Sequence, residues 1–388
     1  MSPAPPVLRA AVGLALAAAV SLGLARFSYA LLLPAMRDDL AWSYLTAGAM
    51  NTVNAAGYLV GALLMPALLR RWDARTLLLC GGLASGALLL AHGLARSDAA
   101  LYALRGATGV ASAASFVTGG LLAARLASSL PAASRITPGL VLGLYYGGTG
   151  LGIVMSSLIT PPLHWPWAWA GLGVTSAALS LLTAHWTRAL RAPPVAGAPR
   201  VAVAWRPLAW ALGGYLMFGL GYIGYMTFVI TLLREQGLAA PWRTAFYVLL
   251  GVGVMASSWL WSNALQRWRG GQTLALLNAL LALATLLLVL SPSVPVVFIS
   301  GLLFGSVFLS VVASTTALVR HNLPASAWPG GIALFTIVFA AGQIVGPSLV
   351  GWVADGPGGL AQGFGVSAAL LALGSLLAWR QRALRSDV

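Results

Sequence analysis

The stretch "GLARFSYALLLPAMRDDL" at residues 23–40 has a counterpart further along the chain, "GLGYIGYMTFVITLLREQ" at residues 219–236. An offset of 196 residues sets Arg26 opposite Tyr222, Tyr29 opposite Tyr225 and Asp39 opposite Glu235. The same offset carries Arg71 and Trp72 onto Arg267 and Trp268, and Gly109 onto Gly305. "GLYYGG" at 143–148 echoes "GQIVGP" at 342–347 at a nearly equal offset. Short apolar windows match easily by chance, so the common offset carries the argument for a duplication in one orientation. What differs between the copies is as informative as what agrees. Arg26 lies inside an apolar run, where an arginine costs roughly 2.5–3.5 kcal/mol at a helix centre.

Composition says what kind of chain has been duplicated. Of 388 residues, 59% are hydrophobic and 7% charged, and the mean hydropathy is +0.88. A soluble domain needs about 25% charged residues to cover its surface, so this is an integral membrane protein. Apolar runs long enough to cross a bilayer recur at about 7–35, 43–69, 75–95, 98–124, 136–160, 166–187, 207–233, 242–265, 273–290, 294–319, 329–353 and 361–379. The fold class expected is all-α, with twelve transmembrane helices in two six-helix bundles. The longest proline-rich polar break divides the chain into a bundle at 1–187, a cytoplasmic linker at 188–206 and a second bundle at 207–388. The N-terminal run resembles a signal peptide but continues to Pro34 with many spans behind it, so it reads as an uncleaved first helix.

All 22 basic residues are arginine and the net charge is +15. They fall in short loops rather than in one patch, which fits an anionic membrane surface and not nucleic acid. Arg37, Arg96, Arg234 and Arg243 fall in loops on one side, and nearly all the others fall on the opposite side. The arginine-rich side is cytoplasmic by the positive-inside rule, giving an N-in and C-in topology. Only Arg26 and Arg105 fall within spans. A single cysteine, Cys80, excludes an internal disulfide, and four scattered histidines make no metal set, so neither a metal nor a cofactor is expected. No G-x-S-x-G elbow, paired carboxylates or H-E-x-x-H is present, and no enzyme activity is expected.

The fourth span carries "RGATGVAS", with Arg105 and Gly109 in an R-x-x-x-G arrangement, and the eleventh carries "GQIVGPSLVGWVAD". In these stretches the chain resembles the major facilitator superfamily, and "RFSYALLLPAMRDDL" is similar to a largely uncharacterised prokaryotic subgroup of it. The family's signature between spans 2 and 3 is degraded: "GALLMPALLRRWDART" keeps Gly61, Arg71 and Arg75 but lacks the usual Asp. The resemblance implies a secondary transporter working by alternating access as a monomer, its substrate held at the midplane where the halves meet.

Candidate substrate-binding residues come from polar faces within spans. Asn51, Asn54, Tyr58 and Gly61 share one face of the second span, and Tyr215, Phe218, Tyr222 and Tyr225 form an aromatic face of the seventh. Thr336, Phe339, Gln343 and Gly346 form a third, in the eleventh. Helix packing explains such faces about as well as a cavity does. Arg26 precedes Pro34 by eight residues and Arg105 lies seven residues after Asp98. At 1.5 Å per residue both lie roughly 11–12 Å below the outer span ends, at one depth. The acidic residues Asp39, Asp98, Glu235 and Asp355 all lie near outer span ends. Two cations at a depth without acidic residues point to an anion. The competing reading gives Arg105 to the backbone carbonyls of a neighbouring helix. The expected set is Arg26, Tyr29, Asn54, Arg105, Tyr222, Tyr225 and Gln343, and the expected substrate a small organic anion, a carboxylate. An efflux antiporter for amphiphilic or drug-like compounds is the alternative, hinted at by Gly143, Gly147, Gly148 and Gly152 in the fifth span. Gly148 stands there where antiporters of the family carry proline.

The topology has a direct test. In a Cys80→Ala background, a cysteine placed in the 188–206 linker should react with membrane-impermeant reagents only from the cytoplasmic face. Labelling from outside would invert the orientation.

Overall fold

A computed structural model of the chain describes residues 6–131, 134, 136–190 and 203–384. Of the expected linker, residues 191–202 lie outside the described residues. Among those described there is no strand. The first span is a composite of α1 (Pro6–Ala18), a π-helical segment (Ala19–Phe27) and α2 (Tyr29–Asp39). Then come α3 (Tyr44–Leu68), α4 (Ala74–Leu94), α5 (Asp98–Ser128), α6 (Pro138–Ile159) and α7 (Trp165–Trp186). The second half holds α8 (Ala209–Glu235), α9 (Ala240–Leu260), the short α10 (Ser262–Arg267), α11 (Gln272–Leu290), α12 (Val294–Asn322), α13 (Trp328–Ala354) and α14 (Gly359–Trp379).

Among the described residues, eleven helices are long and apolar enough to cross a membrane. The twelfth long helix, α3, spans 25 residues but carries Asn51, Thr52, Asn54 and Tyr58, which lower its hydropathy. The duplication is visible in helix ends. Asp39 and Glu235 both close their helices, while Tyr44 and Ala240, and Asp98 and Val294, open theirs at the same 196-residue separation. The first span runs past its expected end at 35, because Pro34 removes one backbone donor without breaking a helix whose Leu32, Leu33 and Met36 are buried. The eighth span breaks instead, at Trp261, whose indole Nε1 donates to the Ser306 carbonyl at 2.8 Å.

Helix ends are closed by local chemistry. Thr137 caps α6 by accepting from the Leu140 N–H at 3.2 Å, with Pro138 in the first turn. Asp73 caps α4 through Thr76 N–H at 3.2 Å. Arg75 reaches the C-terminus of α7, donating to the carbonyls of Ala184 at 2.7 Å and Thr187 at 3.1 Å. Two arms of the degraded loop signature therefore serve as helix caps.

The chain divides into two compact units. One comprises the described residues of Met1–Met36 and Val53–Gly197, and the other those of Arg37–Thr52 and Ala198–Val388. In the first, α3 and α5 pack backbone against backbone: a Cβ on Gly109 would overlap the Asn54 carbonyl oxygen, and one on Gly57 the Gly106 carbonyl. In the second, a Cβ on Gly305 would overlap the Leu250 carbonyl oxygen. Gly305 and Leu250 are the duplicates of Gly109 and Asn54, so one close approach has been built twice. Within the second unit, the Asp355 carboxylate accepts from the Tyr44 and Leu45 N–H groups at 2.8 and 2.9 Å, satisfying the free donors that open α3. Arg37 lies 3.8 Å over the Tyr44 ring, the Tyr44 hydroxyl bonds Glu235, and Arg234 pairs with Asp38 at 2.6 Å.

Gly109→Ala and Gly305→Ala should each cost about 1–3 kcal/mol, because overpacking here forces two helices apart. Gly139→Ala, with only the Thr137 hydroxyl within 4 Å, should be neutral. Thermal midpoints of the purified proteins in detergent check the contrast.

Candidate functional site

Arg26 sits on a segment whose backbone is not α-helical. Over Ala19–Phe27 the first span widens to the i→i+5 pattern, closed by Ser28 N–H donating to the Gly23 carbonyl at 3.0 Å. π-Helical stretches are rare and gather at functional sites. Room for the wider turn comes from α6. A Cβ on Gly148 would overlap the Ala15 carbonyl, and one on Gly152 the Ala19 carbonyl, while one on Gly23 would meet the Gly152 backbone. Where the register returns to α, side chains bond the carbonyls: the Ser28 hydroxyl donates to Leu24 at 2.5 Å, and Arg105 Nη1 donates to Ala25 at 2.9 Å.

Arg105 is wholly buried on α5. Its guanidinium lies 4.9 Å from the Tyr29 ring centroid and 5.8 Å from that of Trp169. His92 completes this group. Its imidazole lies 4.6 Å from the Trp169 ring, and its Nδ1 bonds the Leu88 carbonyl at 2.7 Å, which makes Nδ1 the protonated nitrogen. Asn54 donates its amide to the Arg105 carbonyl at 3.0 Å, fastening α3 to α5. Arg26 is 4% exposed, with its guanidinium 5.7 Å from the Tyr58 ring centroid and 5.9 Å from that of Phe27, and within electrostatic range of Arg105. The first unit sets Tyr29 and Asn54 against Arg105, with Arg26 beside Tyr58 and Phe27. It gives Arg105 a backbone acceptor and Asn54 a helix-joining bond.

The second unit holds an aromatic ladder. Tyr215, Phe218 and Tyr222 on α8 lie 4.9–5.6 Å from Phe339 on α13, with interplanar angles of 7–20°. Phe308 on α12 stacks on Tyr222 at 5.9 Å and 12°. α8 and α13 approach closely enough for this because Gly219 faces the Phe339 carbonyl and Gly342 faces that of Leu216. Tyr225 belongs to a different contact set: its ring lies 3.8 Å from that of Phe304, and its hydroxyl shares a hydrogen bond of 2.9 Å with Ser300. Gln343 is buried one turn beyond Phe339.

Sequence reasoning missed the π-helical segment, the His92–Trp169 pair and the part played by Phe308 and Phe339 in the ladder. The glycines at 23, 148 and 152 were the available signal for the first. No motif announces the other two, because they depend on which helices face each other.

Each described carboxylate lies at or next to a helix terminus: Asp38, Asp39, Asp73, Asp98, Glu235 and Asp355. Charge in the interior of the first unit is cationic, and the second unit presents flat apolar rings. No group of three or more histidine, cysteine or acidic residues able to hold a metal ion occurs among the described residues.

Tyr225→Phe removes one neutral hydrogen bond while Ser300 keeps its bond to the Ala284 carbonyl at 2.7 Å. It should lower stability by about 0.5–1.5 kcal/mol, read as a fall in thermal midpoint.

Residues 18–379 match the model of a family described as "Uncharacterised MFS-type transporter YbfB". A chloramphenicol resistance protein of Streptomyces lividans is 28% identical over 371 residues, covering 91% of this chain and 93% of that one. Among solved structures, the nucleoside transporter NupG superposes with a TM-score of 0.69 at 15% identity, covering 97% of this chain and 98% of that one. The human organic anion transporter MFSD10 superposes with a TM-score of 0.65 at 17% identity, covering 96% and 100%. With twelve long helices among its described residues, in a six-plus-six duplication, the chain belongs to the YbfB-type family of the major facilitator superfamily and is a multi-pass membrane transporter, not an enzyme.

Proposed function

We propose that this transporter carries a small organic anion, a carboxylate, across the bacterial inner membrane by alternating access, with both termini in the cytoplasm. The observation that carries the reading is the placement of charge: Arg26 and Arg105 are buried inside helices, and the described carboxylates lie at helix ends. Arg26 is the group assigned to the substrate. Its guanidinium matches a carboxylate with two parallel hydrogen bonds, a geometry that lysine cannot reproduce. Within the first unit Tyr29 stands against Arg105, and within the second unit Tyr222, Tyr225 and Gln343 are the candidate substrate contacts. The described carboxylates lie at helix ends and arginine does not deprotonate, so in this scheme transport proceeds by exchange, by facilitated diffusion or with a proton carried on the substrate.

The second reading is efflux of amphiphilic, drug-like compounds. It is favoured by the 28% identity to a chloramphenicol resistance protein and by the aromatic ladder, which suits a flat apolar molecule.

A thermal-shift screen of the purified protein against anionic, neutral and cationic solutes separates the two. A bound solute at 100 times its dissociation constant adds about 2.7 kcal/mol of stability. Stabilisation by carboxylates upholds the first reading, and stabilisation by chloramphenicol or lipophilic cations alone upholds the second. Arg26→Lys and Arg26→Ala should each lose about 2–4 kcal/mol of carboxylate binding, or about 30- to 1,000-fold in affinity. A well-folded Arg26→Ala protein, by size-exclusion profile, that binds its carboxylate normally would remove Arg26 from the site.

A further inference from the structure

The transport reading leaves three features of the first unit without a purpose: the π-register of the first span, the glycines of α6 and the backbone partner of Arg105. They converge on the first span, at and just before its nine-residue π-segment. Closing a helix over i→i+5 places one more residue in the turn than i→i+4 does. Each α-helical residue turns the chain by about 100°, so a return to α-register within Ala19–Phe27 would rotate α2 by about 100° relative to α1. Arg26 is the eighth of the nine residues and would take most of that rotation. Its direction is therefore set by the register, and the register is held from two sides.

On one side, α6 offers bare backbone. Gly148 lies against Ala15, and Gly152 against both Ala19 and Gly23, so the wide turn fits where any side chain would meet a carbonyl oxygen. On the other side, Arg105 touches the span both before and after the change at Ser28. Its Nη1 bonds Ala25 O at 2.9 Å inside the π-segment, and its guanidinium lies 4.9 Å from the Tyr29 ring on the first turn of α2. Asn54 and the close α3–α5 approach at Gly109 fix α5, and with it the base of the arginine. A fully buried arginine with these contacts acts as a brace on the neighbouring helix.

We propose that Arg105 and Gly152 are positioning residues: together they hold the first span in π-register and so set the direction in which Arg26 points. The purpose of that direction rests on the reading of Arg26 as the anion-holding group, but the geometric statement does not. It also gives the glycine pattern of the fifth span a role in this chain separate from any antiport signature.

The test uses the full-length protein in lipid nanodiscs. Gly152→Ala removes the room on one side, and Arg105→Gln removes the brace on the other while keeping a helix-compatible side chain. Arg105→Met, which keeps much of the length but has no donor for the Ala25 carbonyl, serves if either is too unstable. The determined structure of each variant should show residues 19–27 relaxed to i→i+4 and the Arg26 side chain swung by about 100°. Thermal stabilisation by benzoate and by succinate is measured alongside, and affinity should fall ten- to a hundredfold. A shifted register with unchanged affinity upholds the positioning and overturns the anion reading of Arg26. An intact π-register in folded variants from both sides overturns the positioning, whatever happens to affinity.

Discussion

A guanidinium buried among helices must find acceptors, and Arg105 finds one on the backbone of the first span, at the carbonyl of Ala25. In a bilayer no water is at hand to satisfy a backbone group that leaves the α-helical ladder, so an irregular turn persists only where neighbouring protein groups bond it. Arg105 and the Ser28 hydroxyl do this at the end of the π-segment, and the glycines of α6 let the widened turn lie flush against the next helix. Remove that bond and both a buried cation and a register change lose their support together. The two buried arginines thus divide the work. Arg105 spends its donors on structure, and Arg26 is carried by the structure so formed.

Much of this was legible in the sequence. Twelve apolar runs, a break near residue 190 and an offset of 196 residues define the span count and the duplication, because hydropathy and length are strong constraints in a membrane. Arg26 and Arg105 were legible as a pair for the same reason: a cation inside an apolar run is costly enough to need an explanation. The end of the first span was not legible. Pro34 reads as a terminator, yet a proline costs one hydrogen bond and some steric strain, and burial of its neighbours outweighs both. The π-register was hidden for a deeper reason. It comes from the fit of Ala19 and Gly23 against Gly152, so the glycines that permit it stand in the sequence but their pairing across the chain does not. Similarly, the cap on α3 is Asp355, more than 300 residues away, and no capping pattern near Tyr44 could have revealed it.

The site set shows the same division. Tyr222 and Tyr225 share an aromatic face by spacing, but tertiary packing separates their roles: Tyr222 joins the ladder with Phe218, Phe308 and Phe339, and Tyr225 turns to Phe304 and Ser300. Spacing along one helix says which residues share a side, and only the neighbouring helices decide what that side meets. The near-parallel stacking of the ladder comes from the close glycine-mediated approach of α8 and α13, which leaves the rings little space to tilt.

The two halves of the duplication then show what such a fold holds fixed and what it frees. The packing of α5 on α3 recurs in that of α12 on α9, with Gly109 and Gly305 set against the duplicate positions Asn54 and Leu250. Glycines of the fifth and eleventh spans likewise press on the first and seventh in their own units. Chemistry differs where the backbone does. The first span widens to a π-turn and carries Arg26, whereas α8 is a continuous α-helix and carries Tyr222 at the matching position. A guanidinium needs a brace and a defined direction, and Arg105 can brace it only because a carbonyl is offered at the register change. A tyrosine packed in a stack needs neither, since ring contacts fix it from the sides. One half thus became cationic through its backbone and the other aromatic through its side chains. The close approaches common to both are the scaffold that allowed the two to diverge.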